Sequence, residues 1–399
     1  MSKSSLESRE KAPSDLLERA KEFNVIIAGS INIDYLNYDP SIVFSPTTRR
    51  GVIIGLHEGR SVEDVARLIN APLDDVLSHL EILEEAGYVI MRGDRIVPSF
   101  FIALREDVVR VKELAKHLGV EIAKRYESNW DLVVEIYSKL SISPRFGFDR
   151  VAFVLVGAYS LDVYMLEKFY EEGRLMPRPP RRRAGVFYMW GVEGGAEALG
   201  RCGMHSGEAG EYGFATFGCE LERRRKAPPD HWSELLLWLM GEKDLTSALD
   251  KLIKLPTLER RRVLGEIDEL TVRVLREYEK LYRDEGCRPD PSVEKYLKRW
   301  MYIDESNKPQ APIYTREDLD TIKDFADKMS IHVLNVVYEN LSKVESAFRE
   351  CRASVYASFS EFFCWLYHLM FSETIEYLVA RQKLKPPVHG YEYWVWKKT

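Results

Sequence analysis

Cys202-Gly-Met-His205, with Cys219 and His231 further along, assembles the thiolate and imidazole donors that a tetrahedral zinc uses. The spacing is not that of a tight zinc knuckle, so buried, unligated cysteines are the expectation at Cys202 and Cys219, and His205 is a weak ligand candidate. Three basic runs could grip nucleic acid: residues 178–183, 223–226 and 260–262. The first two form a second basic patch of Arg181, Arg182, Arg183, Arg223, Arg224, Arg225 and Lys226, with Tyr188, Trp190 and Tyr212 between them. Cations interleaved with aromatics can hold a nucleic acid by phosphate contact and stacking, although charge runs more often form solvated faces. Nine glycines crowd residues 191–218, where they either let strands pass closely or cradle a phosphate at the start of a short helix at 196–199. Their spacing matches neither the dinucleotide fingerprint nor the P-loop. With no G-x-S-x-G elbow, no H-E-x-x-H and no complete Cys/His set, the chain is not expected to be an enzyme, and no cofactor is implied.

These residues need a large scaffold. A chain of 399 residues calls for two or three domains, and 12% aromatic content supplies real cores. The net charge of −6 excludes a surface coated in positive charge, so nucleic-acid binding has to be local. The five cysteines are scattered and the first 13 residues are polar, which points to a reduced, cytoplasmic setting. Only two glutamines occur, Gln310 and Gln382, against abundant Glu, Lys and Arg, a bias shared by heat-adapted proteins. The most apolar stretch, 354–371, carries Glu361 and His368 and is short for a bilayer, so it reads as a buried core helix and no membrane is involved.

The pattern predicts a mainly α protein with a smaller α/β part. It divides into a disordered tail (1–14), a helix and strand (15–48), a winged helix-turn-helix domain (49–105), linking helices (106–145), a sheet-containing glycine-rich middle domain (146–230) and a C-terminal helical bundle (231–399). Residues 24–34 read as a strand and turn, and 151–157 as a buried strand. The strand ending in Gly29 and Asp34 resembles the opening of ribokinase-type sugar kinases, but the glycine-rich catalytic Asp motif of those kinases is absent. Val108, Val111, Ala115, Leu118 and Ile122 form a helical stripe suited to core or to a dimer partner.

The clearest local organisation lies at 49–98. A first helix at 49–56 turns Val52, Ile53 and Leu56 to one side, and Gly59-Arg60 ends it. Ser61-Val-Glu-Asp64 caps a second helix with Val65, Leu68 and Ile69 as its apolar face. Asn70-Ala-Pro72 supplies the turn, and a third helix follows at 72–86 with Val76, Leu77, Leu80 and Leu83 inward and Gly87 as its cap. Residues 88–92 and 95–97 then read as two strands joined at Gly93-Asp94.

The stretch from Leu77 to Val89 resembles the recognition helix and wing of bacterial and archaeal regulators of the ArsR and MarR kind. The resemblance implies contacts to double-stranded DNA from Ser78, His79, Arg92 and Arg95, with Arg49, Arg50 and Arg60 as flanking cations. The third helix departs from that pattern, because Asp74, Asp75, Glu81, Glu84 and Glu85 face outward and repel phosphate. Two readings stay open: a DNA-binding transcription regulator with a C-terminal sensing or dimerisation region, or an interaction factor for RNA, the ribosome or a protein. A homodimer is expected through the helices at 315–350 and 353–384, because Phe362, Phe363, Trp365, Leu366, Leu369, Met370 and Phe371 surround most of the last one.

Overall fold

The computed structural model describes residues 14–195, 198–200, 202–219, 231–284, 286–388 and 390–398. Residues 1–13 of the expected tail therefore lie outside the described residues, and a helix starts at Ser14. Helix makes up 61% and strand 16%, which fixes the class as mainly α with small sheets. The chain divides into two compact units, each drawn from three separate segments.

The first unit comprises residues 1–108, 179–195 and 348–362. It contains α1 (Ser14–Lys21), β1 (Phe23–Ile31), α2 (Pro40–Val43), α3 (Thr47–His57), α4 (Val62–Ile69), α5 (Leu73–Glu85), β2 (Val89–Arg92), β3 (Arg95–Pro98), β4 (Phe101–Ala103), β5 (Arg181–Arg182) and β6 (Gly185–Glu193). Strand β6 is the spine of its sheet: β1 pairs with it antiparallel from Phe23↔Glu193 to Ile31↔Gly185, β4 pairs parallel, and β5 lies along its start. Gly29 sits at φ 140° with its Cα against β6, and a Cβ there would stand 2.3 Å from the Val186 carbonyl oxygen, so no other residue fits this crossing. Side chains of α1, α3, α4 and α5 close over one core with Phe23, Phe187 and Met189 of the strands. Each helix presents an apolar stripe too narrow to be buried alone, so the four short helices and the sheet cover one another.

The second unit holds all or most of α6 (Arg105–Ser128), α7 (Trp130–Lys139), α8 (Phe148–Phe153), α9 (Met165–Glu172), β7 (Cys202–Ala209), β8 (Tyr212–Cys219), α10 (His231–Met240), α11 (Leu245–Lys254), α12 (Thr257–Arg283), α13 (Pro291–Arg299), β9 (Ile313–Tyr314), α14 (Arg316–Glu339), α15 (Leu341–Glu350), α16 (Phe359–Ala380) and β10 (Tyr391–Lys397). A sheet of order β7-β8-β10-β9 stands among these helices. Its last strand was not foreseen, since Tyr391–Lys397 stands alone at the end of a helical stretch and finds its partner, β8, more than 170 residues earlier.

The expected strand at 151–157 is helix. Residues 148–153 are α8, which widens into a π-helical stretch at Val154–Tyr164 and continues as α9. Every residue from Val151 to Asp162 is buried, so this segment is apolar on all sides, and an unbroken apolar run carries no periodicity to distinguish helix from strand. Its β-branched residues favoured the wrong answer. Gly157 is needed there because an added Cβ would meet the Phe217 ring at 2.3 Å. The helical reading of 315–350 holds with an interruption at Asn340 between α14 and α15, whereas of 353–384 only Phe359–Ala380 is α-helix, after a 3-10 turn at Arg352–Val355.

The stripe Val108, Val111, Ala115, Leu118 and Ile122 is buried within the chain. So are Phe362, Phe363, Trp365, Leu366, Leu369, Met370 and Phe371, none more than 3% exposed. The apolar surface that suggested a dimer through α16 is thus consumed by intrachain packing. Among the described residues, no helix is long and apolar enough to cross a membrane.

Candidate macromolecule-docking site

The elements at 47–98 follow the order helix, helix, helix, hairpin. Ser61 caps α4 by accepting a hydrogen bond from the Asp64 amide at 3.1 Å. Asn70 ends α4 in the left-handed conformation at φ 54°, which turns the chain sharply into Pro72 and α5. After α5, the Ser99 hydroxyl donates to the Gly87 carbonyl and ties the base of the hairpin to the helix end. Gly93 at φ 65° makes the two-residue turn, which sets Arg92 directly across from Arg95.

Val76, Leu80 and Leu83 point into the core, but Leu77 does not; it is 43% exposed. The expected inward position was wrong because Leu77 lies one residue, about 100° of helical rotation, beyond the stripe set by Val76, Leu80 and Leu83. Leu73 and Leu77, four residues apart, therefore share an outward flank of α5 with Glu81 and Glu84. Asp74, Asp75, Ser78, Ile82 and Glu85 are exposed around the rest of the helix, and Ile90 and Met91 are exposed on β2. This outer surface is apolar and acidic, with no Lys or Arg on the helix itself.

The arginines meant for phosphate are largely occupied elsewhere. Arg49 donates to the Val43 carbonyl at 2.5 Å, and Arg50 donates to the Phe23 carbonyl at 3.2 Å and to the Thr47 hydroxyl at 3.1 Å. Both are half-buried braces that satisfy backbone ends. Ser78 donates its hydroxyl back to the Asp74 carbonyl. His79 is half-buried, and burial followed by the Arg49 charge lowers its pKa. Arg92 bonds the Val355 carbonyl, while Arg60 lies 3.9 Å from Glu58. Arg95 passes close to Gly59, and Arg352 donates to the Glu58 carbonyl, so Arg60, Arg92, Arg95 and Arg352 gather around the hairpin tip.

In the second patch, Arg182 forms a buried ion pair with Glu361 and also donates to the Ser99 carbonyl at 3.4 Å. Burial pushes the Glu361 carboxyl up to about 7 against the pull of Arg182. Arg183 donates to the Glu85 carbonyl at 2.8 Å and lies over the Tyr38 ring. Arg181 is exposed. Arg223, Arg224, Arg225 and Lys226 lie outside the described residues. Tyr188, Trp190 and Tyr212 are buried, at most 2% exposed, so they cannot stack on bases.

Cys202 is disulfide-bonded, which corrects the expectation of an unligated thiol and removes its sulfur from any metal set. It stands directly across the antiparallel ladder from Cys219. Seventeen positions of separation in sequence hid that closeness. His205, three residues further along β7, falls on the opposite face of the strand from Cys202 and is exposed. The glycine-rich segment is mostly the β7–β8 hairpin, where Gly207 and Gly213 leave room for the rings of Phe214 and Trp396. No family model, curated protein or solved structure matches the chain.

Proposed function

We propose that residues 47–98 are a winged helix used to dock a protein partner, with α5 and β2 as the contact face. The observation that carries this reading is the outward pair Leu73 and Leu77, flanked by Glu81 and Glu84 and extended by Ile90 and Met91. A helix that exposes leucines at i, i+4 beside carboxylates suits an apolar groove with a basic rim, whereas five carboxylates on one helix oppose entry into a groove walled by phosphates. On this reading the chain is an interaction factor without enzymatic activity.

Double-stranded DNA is the second reading, favoured by one observation: Arg60, Arg92, Arg95 and Arg352 cluster at the hairpin tip, where a wing meets a backbone. The two readings separate cleanly. The intact chain, bearing either Leu73→Glu with Leu77→Glu or Arg92→Glu with Arg95→Glu, is immobilised and exposed to lysate of its native host, with and without nuclease. Protein docking predicts a partner that survives nuclease and is released by the leucine changes. Retention untouched by those changes sinks it. Salt-dependent binding to random duplex DNA in an anisotropy titration, weakened by the arginine changes, establishes DNA instead.

A further inference from the structure

The second unit contains a cleft of about 550 Å³ walled by residues from four distant stretches of sequence: the turn after α7, the end of α12, the β9–α14 junction and the end of β10. Its charge is lopsided. Arg145, Arg283, Arg316, Lys397 and Lys398 line it, against a single carboxylate, Glu279. Glu279 is already shared, accepting from the Tyr212 hydroxyl at 2.5 Å, from Arg283 at 2.5 Å and from Lys397 at 3.2 Å. Lys398 reaches Glu208, outside the lining, at 2.6 Å. The buried Asp318 carboxylate also accepts from Ser141 and Thr315 of the lining, so five cations meet three carboxylates and leave an excess of two positive charges, which in a concave site with low-dielectric walls reinforce one another's field.

Two further features orient that charge. Arg145 is held in place by donating to the Tyr282 carbonyl at 2.5 Å with its guanidinium 4.8 Å from the Tyr282 ring centre. The 24-residue α14 starts at the cleft, where Thr315 and Asp318 form a capping box, so the helix's positive end already meets the Asp318 carboxylate and its contribution is to place Arg316 at the cleft. Arg316, at the first position of that helix, is exposed and has no ion-pair or hydrogen-bond partner among the described residues. Half-buried Ile313 gives the cleft an apolar wall, backed by the buried Tyr314. The Tyr282 ring is taken up by Arg145 and by Phe146, which stacks on it at 7°, so it offers no platform for a base.

We propose that this cleft binds a small phosphorylated metabolite, its phosphoryl groups on Arg145, Arg283, Arg316, Lys397 and Lys398 and its uncharged part along Ile313. The volume suits a ligand the size of a sugar bisphosphate, and clusters of Arg with Lys at a helix start are a general solution for phosphate. The cleft lies wholly within the second unit, so this assignment is independent of the docking face on α5.

The test is calorimetric titration of the full chain at constant ionic strength with pyrophosphate and with fructose 1,6-bisphosphate, beside citrate and sulfate. Saturable binding of either phosphate ligand below about 1 mM, at least about tenfold tighter than citrate or sulfate, is expected. Arg316→Glu combined with Lys398→Glu should weaken it by more than about tenfold, while Arg262→Glu, a surface change elsewhere, should leave it intact. A rise in Tm with pyrophosphate in the wild type, absent in the double variant, gives a second readout that does not depend on calorimetric heat. Absence of saturation, equal affinity for citrate, or equal loss in Arg262→Glu each overturns the assignment.

Discussion

Glu193 in the first unit and Asp162 in the second are both buried carboxylates, 3% and 7% exposed, and the protein accommodates them in opposite ways. Glu193 meets Arg19, which donates to both its oxygens at 2.8 and 3.1 Å while reaching Glu58 at 2.7 Å with its other arm. Burial works against the Arg19 charge, and the hydrogen bonds with Glu193 and Glu58 more than offset it, so the guanidinium stays charged. Among the described residues the Asp162 carboxylate has only the Met204 amide, 2.9 Å away, and burial pushes its carboxyl up to about 7. One site keeps an ion pair; the other drifts toward a neutral acid. The contrast teaches how to read arginine in this chain: much of it in the first unit balances or braces buried groups, as Arg19, Arg49, Arg50 and Arg182 do, and is not available to phosphate.

The strongest way to break the comparison is Arg19→Ala. It leaves the buried Glu193 with only the exposed Arg105 guanidinium, 3.8 Å away, and should destabilise the first unit by roughly 3 kcal/mol, read as a shift of the urea midpoint. A loss under about 1 kcal/mol would mean that the pair is solvated and the contrast with Asp162 unfounded.

A smaller effect, with a definite sign, is expected at Asp162. Its folded pKa is raised, so between about 4 and about 7 the folded state holds more protons than the unfolded state, and its contribution to stability falls as pH rises through that window. Asp162→Asn keeps the acceptor for the Met204 amide and removes the charge, so it should stabilise the second unit at pH 8 by roughly 1–3 kcal/mol and have little effect at pH 4. Thermal unfolding at the two pH values checks it.

The smallest effect sharpens the same contrast from the basic side. His231 is buried between the rings of Phe214 and Trp300, its ring nitrogens lack partners among the described residues, and burial lowers its pKa to about 3. A depressed pKa contributes stability that is present above about 6.5 and lost as pH falls toward 3, opposite in sign to Asp162. His231→Phe should therefore change stability at pH 8 by less than about 1 kcal/mol, because a neutral ring replaces a neutral ring, and should lessen the loss on acidification. Unaltered acid sensitivity would show that His231 already holds a partner or a proton.

Much of the helical order was legible because its signals are local. Ser61, Asn70 and Pro72 mark their turns by their own side-chain and backbone chemistry. Residues whose partners are distant were illegible. Nothing near Arg182 announces Glu361, 179 positions away, and nothing near Tyr391–Lys397 announces β8. The cleft lined by Arg145, Arg283, Arg316 and the terminal lysines could not be assembled from sequence, since its members lie in four separate stretches.

The sequence by itself determined where the chain turns, which faces of its short helices are apolar and that the third helix at 73–85 is acidic, because periodicity, capping and charge are properties of neighbouring residues. Only the tertiary structure decided that 154–164 is helical, that Leu77 faces solvent, that Arg49, Arg50 and Arg182 are braces, and that Cys202 is bonded. Each of those depends on what is packed alongside, and burial, pairing and bonding are fixed by contacts that sequence distance does not encode.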